Sequence, residues 1–212
     1  MHDRLSELSV RDLLGRLSSS APIPGGGSAA ALAGAMGASL IHMVVELTAG
    51  RPGAEAHEAA LAELRDRAAH LRDELIGLAE LDAAAYDRVV TARRLPRETD
   101  AERTERDARV ASATHDATAA PLSAARSAAA VLELAEHLSP IGTRNAISDV
   151  GVAASLAATA VRGSALNVRI NLPYLASDDA LGPAADAEIR DLLAGLDERD
   201  LALRRTIDGR MR

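Results

Sequence analysis

From Leu61 onward the chain sets apolar residues alternately three and four positions apart: Leu61, Leu64, Ala68, Leu71, Leu75, Leu78, and later Ala85 and Val89. That spacing holds one row of side chains on one face of a helix and defines a heptad seam. A seam of this length commits the segment from about Ala54 to Arg94 to one long helix with a stripe to bury against another helix. The rest of the chain agrees. Apolar residues make up 48% of it, yet Phe and Trp are absent and the only tyrosines are Tyr86 and Tyr174. The core must be aliphatic, and Ala-rich helices pack closely where a sheet would want β-branched and aromatic residues. These features predict an all-α protein.

The punctuation supplies the other elements. Ser9 can cap a short helix through Leu17. A second helix is predicted from Ser28, as its N-cap, to Thr48, stopped by Gly50, Arg51 and Pro52. The seam helix ends before Pro96, and the charged stretch from Arg97 to Asp107 reads as a solvated linker or the first turns of the next helix. A fourth helix spans Asp100 to Leu138 with a kink near Pro121, a fifth Asn145 to Asn171, and a last one Ala184 to Ile207. Long helices joined by short breaks predict an antiparallel bundle, one domain over residues 1–212. The Ala-rich seam also suggests pairing with a second copy, a homodimer.

Composition narrows the function. Without Cys there are no disulfides, thiol nucleophiles or thiolate metal sites. The net charge of −7 argues against nucleic acid as a partner, and the basic residues, all Arg, read as codon bias. His2, His42, His57, His70, His115 and His137 show no metal-ligand spacing, so no metal is expected. Met1 to Leu17 is charged and amphipathic, unlike a signal peptide, and Ala29 to Val45 looks like a buried helix more than a membrane span. The expectation is a cytoplasmic enzyme or binding protein with no membrane partner.

Three features break the pattern. The first is Ala21 to Leu40, APIPGGGSAAALAGAMGASL, where Gly25, Gly26 and Gly27 lead into Ser28. Three successive glycines imply a tight bend or a close approach, and a helix start can hold an anion. A stiff turn before a buried helix is the simpler reading of these residues alone. The second is Asp82, which takes a seam position after a run of Leu and Ala. A carboxylate there is either half of a buried ion pair with an Arg or a catalytic acid whose proton affinity burial has raised. The third is the fifth helix, with Asn145, Ser148 and Asp149 at its start and Asn167 and Asn171 near its end. Asp149 and Asn167 share a helix face but stand about 27 Å apart. Within one chain they cannot serve one reacting atom, whereas a long ligand or a dimer can use both. Capping and helix-bridging amides are the structural readings of the same residues.

The glycine segment, LDAAAYDRVVTARRLP from Leu81 to Pro96, and NAISDVGVAASLAATAVRGSALNVRINL from Asn145 to Leu172 occur in that order. Together they resemble the cyclodeaminase/cyclohydrolase family of folate enzymes, which includes the C-terminal half of formiminotransferase-cyclodeaminase and methenyltetrahydrofolate cyclohydrolases. The resemblance implies an all-helical dimer acting on a tetrahydrofolate derivative, its polyglutamylated form included, with no cofactor beyond that substrate. The family's transferase half is absent here, so a cyclodeaminase would accept substrate made elsewhere. Thr143, Glu46 and Pro52 depart from the family pattern. They keep open a reading of another class, a helical dimer that binds a pterin without turning it over.

The resemblance implies one of two reactions. In a cyclodeaminase the side-arm nitrogen of formiminotetrahydrofolate attacks the formimino carbon, ammonia leaves, and methenyltetrahydrofolate forms. In a cyclohydrolase, water adds to the methenyl carbon and the ring opens to formyltetrahydrofolate. Cyclodeaminase is the first reading and cyclohydrolase its alternative. Both need a proton moved on or off nitrogen beside a cationic amidine, work suited to a buried acid. The match assigns that role to Asp82. It gives Gly25, Gly26, Gly27 and Ser28 a substrate-contacting turn, and Asn145, Ser148 and Asp149 hydrogen bonds to the pterin. Asn167 and Asn171 are further candidates, and Arg93 and Arg94 could steer a glutamate tail.

Overall fold

The computed structural model describes residues 4–212. Among the described residues seven α-helices follow one another: α1 (Val10–Leu17), α2 (Gly26–Thr48), α3 (Glu58–Arg93), α4 (Asp100–Leu138), α5 (Ile147–Asn171), α6 (Leu181–Leu193) and α7 (Leu196–Met211). No strand occurs among the described residues. Ser9 caps α1 as expected, its side chain accepting the Asp12 N–H. Thr99 and Glu102 form a reciprocal capping box that starts α4 inside the charged stretch, so that stretch is partly linker and partly helix.

The four long helices form the bundle, with α2–α3, α3–α4, α4–α5 and α5–α2 packed in turn and α2 also touching α4 across the middle. Directions alternate. Gly27 meets Asp82 and Gly34 meets Leu75 between α2 and α3, while Arg67 pairs with Glu133 and Arg88 with Asp116 between α3 and α4. Along α2 and α5 the close pairs are Gly26–Asn167, Ala30–Gly163, Gly34–Ala160 and Gly37–Ala153, so these two are antiparallel as well. The predicted seam is the inner face of α3: Leu61, Leu64, Ala68, Leu71, Leu75 and Leu78 are all buried. At Gly37 an added Cβ would lie 2.9 Å from the Ala153 carbonyl, and at Gly163 2.9 Å from the Ala30 Cβ. Small residues are therefore what let the two backbones approach.

The structure corrects two boundaries. The N-cap of α2 is Gly25, and Ser28 lies inside the first turn with its hydroxyl turned away from the helix end. The predicted last helix is two helices. Gly195 adopts φ 69°, a left-handed conformation that glycine accepts without a Cβ penalty, and it separates α6 from α7. At Pro121, α4 continues unbroken. Proline removes the N–H that would have bonded the Ala117 carbonyl, and the Asn171 side-chain amide donates to that carbonyl instead, at 2.8 Å.

Candidate active site

Asp82 sits where the seam meets the start of α2. Its half-buried carboxyl lies flat against Gly27, where an added Cβ would stand 2.3 Å from Oδ1 and 2.6 Å from Cγ. No residue but glycine leaves room for it. Ser28 Oγ lies 2.9 Å from Asp82 Oδ2 and 3.0 Å from the Ala79 carbonyl oxygen. One hydroxyl proton cannot serve both acceptors fully. The hydroxyl is therefore shared, donating to the Asp82 carboxylate and to the Ala79 carbonyl.

Two influences on Asp82 oppose each other. Burial disfavours the anion and raises the carboxyl's proton affinity, while the Ser28 hydroxyl and the Ser28 backbone N–H at the positive end of α2 favour the anion. Burial wins, and the pKa stands above the ordinary carboxylate value. The ion-pair reading of Asp82 finds no support, because its polar neighbour is Ser28 and no arginine contributes to its shift.

A cavity of about 220 Å³ opens beside the carboxyl. The turn before α2 supplies Pro22, Ile23, Gly25, Gly26 and Gly27; α3 supplies Asp82, Ala83 and Tyr86; α5 supplies Asn167, Ile170 and Asn171. Asn167 donates to the Gly163 carbonyl at 2.8 Å and stands against Gly26. Tyr86, four residues after Asp82 on the same helix face, went unnoticed in the sequence, although that spacing alone would have flagged it. Farther out, the Arg93 guanidinium lies 5.2 Å from the centre of the Tyr174 ring. A larger cleft of about 380 Å³ lies at the far end of α2 and includes Glu46, Arg51, Glu55, Glu58 and Arg65.

The structure thus gathers Gly25, Gly26, Gly27, Ser28, Asp82, Asn167 and Asn171 in one place. It does not bring Asn145, Ser148 or Asp149 there within one chain. They occupy the opposite end of α5, where Asn145 is in a 3₁₀ turn and no side chain caps the helix. Among the described residues no group of three His, Asp or Glu side chains gathers as a metal site would; His2 lies outside the described residues.

Comparison with known proteins gives this arrangement a context. The chain is 40% identical to methenyltetrahydrofolate cyclohydrolase of Methylorubrum extorquens over 186 residues, 88% of this chain and 89% of that protein. It is 30% identical to formimidoyltransferase-cyclodeaminase of Rattus norvegicus over 82% of this chain but only 32% of that longer protein. Its fold is similar to the crystal structure of formiminotetrahydrofolate cyclodeaminase from Thermotoga maritima, with a TM-score of 0.85 covering 97% of this chain and 98% of the other at 24% identity. The family model for formiminotransferase-cyclodeaminase matches residues 9–191, a span that contains the glycine turn, Asp82 and all of α5. With its helical bundle, its glycine-backed acid and that match, the chain belongs to the formiminotransferase-cyclodeaminase family.

Proposed function

We propose that this protein is a folate one-carbon enzyme in which Asp82 exchanges a proton with the amine that leaves, or the water that attacks, the carbon bridging two folate nitrogens. The observation that carries the reading is the carboxyl held against Gly27, with its proton affinity raised by burial and a cavity at its side. The bridging carbon of a methenyl folate is already electrophilic as an amidinium, so the chemistry asks for a positioned acid/base and no further cofactor. Protonated Asp82 donates to the leaving amine in ring closure. Ionised Asp82 takes a proton from the attacking water in ring opening.

The cyclodeaminase reading draws on the fold and on the relatives near 30% identity. The cyclohydrolase reading has its own support in a relative at 40% identity that this chain matches over 89% of its length. Methenyltetrahydrofolate absorbs in the near ultraviolet, so one cuvette separates them. Absorbance that rises with formiminotetrahydrofolate identifies a cyclodeaminase. Accelerated loss of absorbance from methenyltetrahydrofolate identifies a cyclohydrolase. Binding without either change would leave a non-catalytic pterin-binding protein and end the enzyme reading.

The proposal extends to a polyglutamylated substrate, a homodimer and a cytoplasmic location. Tyr86 lines the cavity and Arg93 follows it by seven residues, about 10 Å along α3, so Arg93 is placed to meet carboxylates of a tail leaving the cavity. The homodimer reading draws on α2. That helix is apolar enough to cross a membrane by length and composition, yet only one side of it is buried in the bundle. A helix apolar all round calls for cover on its second side, and a second copy supplies it.

A further inference from the structure

The chain keeps its aromatic rings out of its core. Phe and Trp are absent, and Tyr86 and Tyr174 are its only large aromatic side chains. The buried clusters hold only Ala, Leu, Val and Ile. A ring ordinarily serves a fold through the large apolar area it buries. Neither tyrosine does so here, for Tyr86 is 41% exposed and Tyr174 58%. Yet both stand at one end of the bundle. Tyr86 lines the Asp82 cavity, and Tyr174 comes three residues after Asn171, which lines the same cavity.

The two rings differ in what meets them. The Arg93 guanidinium lies over Tyr174, and among the described residues Arg93 has no carboxylate partner. Tyr86 has no cation or second ring over it, and its hydroxyl makes no hydrogen bond among the described residues. The helix pairings set its level. Arg88 pairs with Asp116 and Asn171 with the Ala117 carbonyl, which puts Tyr86, Ala117 and Ile170 at one height in the bundle. Asp82, Gly27 and Asn167 form the next level inward, one helical turn away. The inner level is polar, whereas Tyr86 has the apolar Ala83, Ala117 and Ile170 as fellow wall residues. A ring in such a wall is a platform for a flat, uncharged group.

We infer that Tyr86 carries the p-aminobenzoyl ring of the substrate, stacked on its face. This rests on the folate reading and says which part of the molecule lies at the outer level. In a reduced folate one of the two nitrogens that flank the reacting carbon is bonded directly to the benzoyl ring, and the glutamate leaves from the far side of that ring. The same order runs along α3. Asp82 stands at the reacting carbon, Tyr86 follows four residues on, about 6 Å, and Arg93 seven residues beyond that, about 10 Å. The pterin is left to the glycine turn and the Asn167 amide at the level of the acid. A stack of this kind holds the substrate without moving a proton, so Tyr86 sets affinity and leaves the chemistry to Asp82.

The scarcity of rings makes the test direct. Isotopic labelling of tyrosine gives signals from two residues, and Tyr174→Phe identifies those of Tyr86. The probe is 5-formyltetrahydrofolate, which has the pterin, the benzoyl ring and the glutamate. Nuclear Overhauser contacts are expected between the Tyr86 ring protons and the benzoyl protons of the bound probe. Contacts to the pterin methylene protons instead, or none to the bound probe, overturn the inference. Affinity is the second measurement. Tyr86→Leu changes a side chain outside the core clusters, so circular dichroism and thermal midpoint should match wild type. It is expected to weaken calorimetric binding of the probe about tenfold, the size of one lost ring stack, while Tyr86→Phe binds as wild type. In turnover the loss should fall on KM and spare kcat. The contact measurement decides the matter if Tyr86→Leu fails to fold. Unchanged affinity in Tyr86→Leu, or an equal loss in Tyr86→Phe, refutes the stack and leaves the folate reading standing. Wild-type protein that binds no reduced folate ends both.

Discussion

The two ends of α5 carry similar residues in different surroundings. At its C-terminal end Asn167 donates to the Gly163 carbonyl, Asn171 donates to a carbonyl freed by Pro121, and both line the cavity that holds Asp82. At its N-terminal end Asn145, Ser148 and Asp149 lie away from that cavity, no side chain caps the helix, and Ser148 lines a separate cleft with Arg204 and Asp208 of α7. A polar residue on a helix acquires its role from what packs opposite it. The first end is built by α2 and α3 of the same chain, whereas the second lies beside α7. The difference teaches that one half of the polar set is explained within the chain and the other half is not.

The largest effect expected at the first end is on catalysis. Asp82→Asn keeps the shape and the Ser28 contact but removes the proton, so turnover should fall by about 10²–10⁴. The same variant should be more stable than wild type at neutral pH, on the order of 1 kcal/mol, as when a strained active-site group is relieved. The sign follows from linkage. Burial raises the Asp82 pKa in the folded state, so the folded protein binds this proton more tightly than the unfolded chain, and stability is lost as pH rises through the folded pKa. The variant's advantage should therefore vanish as pH falls from above the folded pKa to below the ordinary carboxylate value. Denaturant melts across that window, alongside the absorbance assay, check both halves. An inactive variant with no stability gain would make Asp82 an ordinary exposed acid.

Gly27→Ala ranks next. Its new Cβ would enter the Asp82 carboxyl at 2.3 Å, and overpacking of this kind costs about 1–3 kcal/mol and displaces the acid. Gly26→Ala is its control, because a Cβ there meets only the Asn167 amide at an ordinary 3.6 Å. Equal losses of activity in the two variants would break the argument that Gly27 is the wall against which the acid is set.

The sequence made much of this legible because the helical signals are periodic and local. The seam from Leu61 to Val89, the stop at Thr48 and the span of α4 are visible as spacing and punctuation. Asp82 stood out as an acid in a seam, and the structure places its carboxyl against Gly27. The role of Ser28 was not legible, because a serine after glycines reads as an N-cap until α3 is seen to bring Asp82 and the Ala79 carbonyl beside it. The predicted helix from Ala184 to Ile207 runs through Gly195, and only that glycine's left-handed φ reveals a break. The partnership of Asn171 with Pro121 spans 54 positions from Ala117 and has no local signature.

Ser28→Ala shifts the balance at Asp82 and leaves the fold largely intact. The serine hydroxyl favours the anion, so its loss leaves burial less opposed and should raise the Asp82 pKa further. The limb of the pH–rate profile that reports Asp82 should move to higher pH, and a limb that moves to lower pH would reverse the order of the two influences.

The smallest effect separates structure from chemistry at Asn171. Asn171→Ala leaves the Ala117 carbonyl without its donor, at a cost of about 1–3 kcal/mol because the group stays largely shielded from water. Pro121→Ala restores a backbone N–H four residues after Ala117, so the helix can satisfy that carbonyl unaided. In the Pro121→Ala background the stability cost of Asn171→Ala should shrink to a few tenths of a kcal/mol, and the difference is the coupling energy of a double-mutant cycle read from denaturant midpoints. Any rise in KM should persist in both backgrounds if the same amide also meets substrate. A stability cost unchanged by Pro121→Ala would mean that Asn171 stabilises α5 by some route other than the proline-freed carbonyl. A KM effect that disappears together with the stability cost would make Asn171 a strut of the cavity that does not touch what binds there.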